Sequence, residues 1–278
     1  MTEIPLAKSA WVDIRQDKLY NPPVKTNWPR PLAPTQRGNP LLVQVSGGVD
    51  STGMVYWLLE NTKEEIHINH VLLTRDWQSK TEAEHIATQE IVHWLRKNCR
   101  EFTYSETRIG TPGYDYAIDH LLYATNGAMM CLSGRFKTMC TGRIRTDETI
   151  NGTRNFRRAL QLFKAATAGY STSGREIEWW IPVNNLCKRD LINLMPKDLF
   201  KLTWSCHYPI KNKDGSFSEC RKCIGCGRRI EGMHQTGNFE EIPPDIMEKL
   251  EMEDVTDFVM KHDYKYSPPI TDFIGRLS

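Results

Sequence analysis

Apolar and polar positions follow two alternating rhythms along this chain. Leu41–Val45 (LLVQV) is a short apolar run ending at Ser46-Gly47-Gly48. Beyond it, Met54, Val55, Leu58 and Leu59 recur at helical spacing, so the reading is strand, glycine turn, helix. Ile66–Thr74 (IHINHVLLT) predicts a second strand, on which His67 and His70 are expected to be packed or hydrogen-bonded rather than catalytic. A charged amphipathic helix follows over Lys80–Lys97, with Ile86, Ile91, Trp94 and Leu95 inward. Phe102–Ser105 reads as a short third strand, Tyr116–Cys131 as a helix, Phe136–Gly142 as a strand and Phe156–Ala168 as a helix. Glu178–Pro182 predicts a short buried strand and Lys188–Met195 another short helix. Trp179 and Trp180 point to opposite faces of their strand, so one is expected in the core and the other in a ligand cleft. Strands alternating with helices predict an α/β fold, a doubly wound and mostly parallel sheet covered on both faces. The organisation expected is an irregular, proline-rich arm over 1–40, an α/β domain over 41–200, a cysteine-bearing module over 201–232 and a helical tail over 233–278.

Composition narrows the class. With 278 residues, 40% hydrophobic and 25% charged, the chain reads as a soluble globular protein with ample core. A formal net charge of +2 removes any whole-chain argument for a nucleic-acid or membrane partner. No stretch approaches the roughly 18 apolar residues of a spanning helix, and the start of the chain has no signal-like apolar run. The expected address is cytoplasmic. Of the 8 cysteines, Cys99, Cys131, Cys140 and Cys187 stand singly and are expected to pack as small hydrophobes.

The other four follow the spacing Cys206-x13-Cys220-x2-Cys223-x2-Cys226, with a polar loop over Lys211–Ser218 between the first ligand and the rest. Four thiolates suit a closed tetrahedral Zn²⁺ site, which contributes folding energy and leaves no open position for catalysis. An iron–sulfur cluster uses the same ligands. A redox CxxC pair fits less well, because no thioredoxin-like βαβ pattern surrounds it. His207 beside Cys206 is expected to be a bystander.

Ser46-Gly47-Gly48-Val49-Asp50-Ser51-Thr52 is the most informative stretch. Adjacent glycines let the backbone approach a ligand, and the following helix offers unpaired N–H groups and a positive dipole end, which suit phosphate. Ser46, Ser51 and Thr52 add hydroxyls, while Asp50 could orient Mg²⁺ or cap the helix. A Walker loop is excluded, since no Gly-Lys-[Ser/Thr] stands at the required spacing. The plain alternative is an ordinary βα turn.

SGGVDST resembles the signature of the PP-loop ATP pyrophosphatases, which split ATP between the α and β phosphates. The resemblance implies an adenine nucleotide alpha hydrolase-like sheet, ATP with Mg²⁺, pyrophosphate held by Ser46, Gly47, Gly48, Asp50 and Ser51, and adenine against the backbone of Leu73 and Thr74. Within that superfamily, Pro182–Cys206 (PVNNLCKRDLINLMPKDLFKLTWSC), Cys220–Arg229 (CRKCIGCGRR) and Gly142–Glu148 (GRIRTDE) resemble the 7-cyano-7-deazaguanine synthase family. That family implies a four-cysteine zinc module and a carbon–nitrogen ligase. The carboxylate of a 7-deazaguanine is adenylated, ammonia displaces AMP to give an amide, and a second adenylation dehydrates the amide to a nitrile. It also implies a deazapurine nucleoside or nucleic-acid modification pathway such as queuosine biosynthesis, and family members are often homodimers.

Arg143, Arg145 and Asp147 follow a predicted strand, where Arg suits a carboxylate or phosphate and Asp147 the N–H edge of a purine-like base. A solvated loop of charges is the plain alternative. Lys188 could reach phosphate or serve as a surface cap. Arg154, Arg157, Arg158 and Lys164 form either a solvated face or a contact for a nucleic-acid partner.

The chain departs from the family where an Arg-Asn pair usually opens the helix before the fourth strand. It departs again where Thr74-Arg75-Asp76 replaces a Gly-Gln turn, which implies an altered acceptor pocket. Two other readings stay open. One is a PP-loop sulfurtransferase or sulfate-reductase-like enzyme, which typically needs a reactive cysteine near ATP or a C-terminal cysteine pair. The other is a non-catalytic ATP-binding module regulating a protein partner.

Overall fold

The structure is a computed structural model that describes residues 40–74, 78–110, 119–144, 150–169, 177–184, 186–221 and 223–236. The expected arm (but for Pro40), the tail from 237 onward, and Arg145 and Asp147 lie outside the described residues, as does the side chain of Arg154.

Five parallel strands carry the domain: β1 (Leu41–Val45), β2 (Ile66–Thr74), β3 (Thr103–Gly110), β4 (Thr138–Cys140) and β5 (Glu178–Trp180), in the order β3-β2-β1-β4-β5. Leu41 pairs with both Ile66 and Thr138, which makes β1 the central strand. All five of its residues are buried, which is why LLVQV is nearly continuous in apolar character instead of alternating.

Helices α1 (Val49–Asn61) and α2 (Gln78–Asn98) cover one face, together with α5 (Lys188–Leu194), α6 (Lys197–Leu202) and α7 (Ile224–Thr236). Val43 and Ile68 meet Met54, Leu58, Ile91, Leu191 and Phe200 there. On the other face, Leu42, Met139 and Trp179 pack with residues of α3 (Asp119–Leu132) and α4 (Ile150–Thr167), including Ala128, Phe156 and Phe163. The sheet is doubly wound, as the alternating pattern predicts. Strand order reverses between β1 and β4, so a crevice opens at the C-terminal ends of these two strands, where open α/β sheets take ligands.

Several elements differ from expectation. Ile86 is 46% exposed, because the sheet-facing stripe of α2 runs through Ala83, Ala87, Ile91 and Leu95, and Ile86 falls beside it. The third strand extends to Gly110; as an edge strand with polar residues on its open face it lacks the apolar run that marks buried strands. The fourth strand shrinks to Thr138–Cys140. Residues 211–218 form a hairpin, with β6 (Ile210–Lys211) pairing antiparallel to β7 (Phe217–Ser218). Cys187 is half-buried and hydrogen-bonded to Asp190, not packed among apolar groups. No described helix is long and apolar enough to cross a membrane.

Candidate functional site

The glycine loop joins β1 to α1 at the switch point. Gly47 has φ +76°, a left-handed conformation, and a Cβ there would lie 2.8 Å from Thr88 Oγ1 and 2.9 Å from the Glu84 carbonyl oxygen. Both constraints demand glycine: the dihedral is costly for an L side chain, and α2 presses against the loop. Gly48 is the N-cap of α1 and makes no side-chain cap hydrogen bond, so the first amides of a 13-residue helix are not closed off by their own cap. Ser51 Oγ accepts from Ser46 N at 3.2 Å, donates to the Gly48 carbonyl at 3.3 Å, and lies 3.3 Å from Ser46 Oγ, which ties the two ends of the turn together.

Across the crevice, Gly142 follows β4, and a Cβ at this position would lie 2.6 Å from both Cα and N of Ser51. The segment after β4 therefore rests directly on the first turn of α1. From below, Lys188 Nζ reaches Asp50 Oδ2 at 3.0 Å, and both side chains are largely withdrawn from solvent. Lys188 is held at the first turn of α5 by a capping box, in which the Asp190 carboxylate accepts from Cys187 N at 2.9 Å.

A cavity of about 310 Å³ opens from this loop. It is lined by Ser46, Gly48, Asp50 and Ser51 of the loop and by Gln44, Tyr123, Thr141, Arg143, Phe156 and Trp179. Lys80, Glu84, Asp119, His120 and His207 also line it, with Lys80 Nζ 3.6 Å from Glu84 and 3.7 Å from Asp119. The far wall is built rigidly. Trp179 Nε1 donates to Thr141 Oγ1 at 2.8 Å, and its ring meets Phe156 edge-on with centroids 5.4 Å apart. The Arg143 guanidinium stands 4.7 Å from the Phe156 ring centroid and donates to Asn184 Oδ1 at 3.2 Å. One cavity is therefore lined both by the glycine loop and by a packed aromatic pair with a guanidinium beside it.

Ser46, Gly48, Asp50 and Ser51 border this cavity, and Lys188 joins it through Asp50. Gly47 and Thr52 sit behind the loop, facing α2 and a small void between helix and sheet. Leu73 and Thr74 end β2 and do not border the cavity; the Leu73 carbonyl accepts from Thr81 Oγ1. Trp179 alone combines the two roles expected of the tryptophan pair, being 3% exposed and yet a cavity wall, while Trp180 packs into the opposite core cluster. His67 and His70 are buried and hydrogen-bonded, to Thr103 and Ser105 and to the Val45 carbonyl respectively. Gln44, Phe156, Tyr123 and Lys80 belong to no motif. They come from four separate elements, and Gln44 alone carries a local sign, an amide inside an apolar strand.

The sulfurs of Cys206, Cys220, Cys223 and Cys226 all lie within 4.8 Å of one another, with Cys223 and Cys226 3.5 Å apart. At a Zn–S length of about 2.3 Å, a tetrahedron places its sulfurs roughly 3.8 Å apart. The set can therefore close on one metal ion. A four-iron cluster separates its cysteines more widely, since each binds a different iron. Backbone amides of His207 and Cys220 donate to Cys223 and Cys206 sulfur at 3.2 and 3.1 Å, contacts that favour thiolates.

The module is fastened to the glycine loop. Trp204 N donates to the Gly47 carbonyl at 2.8 Å, and the buried Arg229 donates to the Thr203 carbonyl at 2.9 Å while lying 4.3 Å from the Phe200 ring centroid. The Thr203–Cys206 strip thus links the cysteine cluster to the glycine loop within a few bonds.

No family model matches this chain, and no curated protein matches it. Among solved structures the chain is similar to the U34-tRNA thiolase NcsA from Methanococcus maripaludis with its 4Fe-4S cluster. Identity is 13% and the TM-score 0.38, over 82% of this chain and 74% of that one. At that distance the likeness bears on no residue of the site.

Proposed function

We propose that the chain is an ATP-using enzyme of the PP-loop kind, a carbon–nitrogen ligase that adenylates the carboxylate or amide of a 7-deazaguanine and passes it to ammonia. The observation that carries this reading is that residues of the Ser46–Ser51 cradle and Arg143 line one cavity. The cradle supplies open amides and hydroxyls for a triphosphate, and Arg143 supplies a guanidinium for an anionic acceptor.

In the reaction proposed, an acceptor carboxylate oxygen attacks the α-phosphorus of ATP and pyrophosphate leaves. Ammonia then attacks the activated carbonyl carbon and AMP departs with the oxygen. A second ATP activates the amide oxygen, and loss of AMP with two protons leaves the nitrile. The protein's work is positioning and charge stabilisation: Ser46, Ser51 and the first amides of α1 hold the departing pyrophosphate, and Lys188 moves between Asp50 and phosphate oxygens. Mg²⁺ would be held by Asp50 together with the phosphates and would neutralise their charge. Arg145 and Asp147 remain proposed acceptor contacts, and Leu73 and Thr74 proposed adenine contacts. Zn²⁺ in the four-cysteine site would serve as a staple for the strip that bears on the loop.

A sulfur-transfer reading would typically call on a reactive thiol near ATP, a C-terminal cysteine pair or an iron–sulfur cluster. No described cysteine borders the cavity, and the four clustered sulfurs face each other.

The test is incubation with ATP, Mg²⁺, ammonia and 7-carboxy-7-deazaguanine, with AMP followed by chromatography and the base by mass. AMP formation that depends on the acid, together with a base product lighter than the acid, is expected. Asp50→Ala should abolish both while the protein remains folded. No acid-dependent AMP from the native chain would sink the ligase reading.

A further inference from the structure

Gln44 lies in the middle of the central strand, where every other residue is apolar. Its side chain is 3% exposed. Nε2 donates to the Tyr123 carbonyl at 3.0 Å, which settles which end of the amide is oxygen. Oε1 is buried and has no hydrogen-bond partner among the described residues. The amide cannot swing away easily, because α3 crosses it closely: a Cβ at Gly127 would lie 3.3 Å from Nε2 and would overlap Met139 Sδ. A clamped, unpaired acceptor in a core is costly to folding. Its neighbours across the sheet show the contrast, since Asn69 on β2 is paired to Ser105, Thr107 and Asn126. Gln44 differs from them in one respect, namely that it borders the cavity.

We infer that Gln44 is a specificity-determining residue whose Oε1 accepts a hydrogen bond from a ring N–H or amino group of a flat heteroaromatic acceptor bound in this cavity. The site is two residues before Ser46, so a ring in contact with it lies within reach of a phosphate held in the glycine loop. The Tyr123 carbonyl orients the amide from inside α3, where the helix supplies that carbonyl with its own bond as well. Acceptors without a donor at this point leave Oε1 unpaired and are rejected, whereas the affinity for ATP does not involve Gln44. This inference rests on the ligase reading above and narrows it to acceptors with a donor edge.

The test uses the full-length native chain and Gln44→Met, which conserves volume and removes both polar ends, with Gln44→Leu as a second apolar variant. Substrates are 7-carboxy-7-deazaguanine and analogues in which N1–H, N9–H or the amino group is blocked in turn by methylation. In the native chain, blocking one donor is expected to raise KM by about 30-fold, as for a lost hydrogen bond to a buried group. In Gln44→Met the parent acid should show that same rise, the penalty for the blocked analogue should shrink to within about 2-fold, KM for ATP should hold, and the melting temperature should not fall. A methyl group that merely clashes would keep its penalty in Gln44→Met, and that result overturns the inference. Equal use of parent and analogues by the native chain, or an unchanged parent KM in both variants, also overturns it while leaving the ligase reading standing. Absence of AMP from the native chain ends both.

Discussion

Gly142→Ala probes the site through backbone alone. The new Cβ would stand 2.6 Å from Ser51 Cα and N and 2.7 Å from the Asp50 carbonyl carbon. These are main-chain atoms, so no rotamer change relieves the contact. Reaching ordinary van der Waals separation near 3.4 Å requires the segment after β4 and the first turn of α1 to part by about 0.8 Å. Overpacking of this kind costs about 1–3 kcal/mol in stability, which a domain of this size survives. The effect on chemistry should be larger in proportion, because a displacement near 1 Å of positioning groups lowers turnover by about 100-fold. The assay is acid-dependent AMP release alongside urea unfolding of the same preparation. A midpoint lowered modestly, with turnover down by about two orders of magnitude, is expected. Turnover within a factor of about three of the native chain, with the same small stability loss, would show that contact between the β4 end and α1 does not set the geometry of the reacting groups.

Three further outcomes follow from the same structure. Cys223→Ser should lower metal content from one zinc per chain toward none and cost more than about 4 kcal/mol, read by elemental analysis and denaturant unfolding. Iron with acid-labile sulfide in the native chain would instead favour the sulfur-transfer reading. Burial, and then the charge of Arg135, hold the His67 pKa below its ordinary 6.5. Burial likewise lowers that of His70. The unfolded chain therefore binds these protons first as pH falls below about 6.5, so stability is full above that value and declines beneath it. His67→Gln, which can still bond Thr103 and Ser105, should flatten the decline between pH 7 and 5 in urea titrations; an unchanged slope would refute the assignment. Gly47→Ala should destabilise by at least about 1–2 kcal/mol, since it combines a left-handed dihedral with the Glu84 carbonyl 2.9 Å from its Cβ, and a native-like midpoint would contradict the loop conformation.

Local pattern was sufficient for much of the molecule. The run Leu41–Val45 followed by Ser46-Gly47-Gly48 could be read as strand and turn because burial on both faces leaves an unbroken apolar signature, and because a left-handed residue beside a packed helix must be glycine. The spacing of Cys206, Cys220, Cys223 and Cys226 pointed to a candidate metal site, and the fold brings the four sulfurs within 4.8 Å of each other, a set able to close on one ion. Elements with weak periodicity were missed or misjudged. The edge strand β3 has half-exposed polar residues, while the short α6 and the cysteine-bearing α7 are placed by packing against α2 and α5 respectively.

Tertiary structure alone decided what those pieces form together. Strand order, which local sequence does not encode, places the end of β1 beside the end of β4 and so brings Ser46 and Arg143 to one cavity. Long-range contacts set Lys188 on Asp50, Trp204 on Gly47 and Gly142 on Ser51. Gln44 is the sharpest case. Within the sequence it is one polar letter in a strand; only the approach of α3 and the opening of the crevice make it a buried, unpaired acceptor on a residue that borders the cavity. Periodicity and spacing record what each segment buries, whereas a site is made by which segments meet, and that is settled by packing across the sheet.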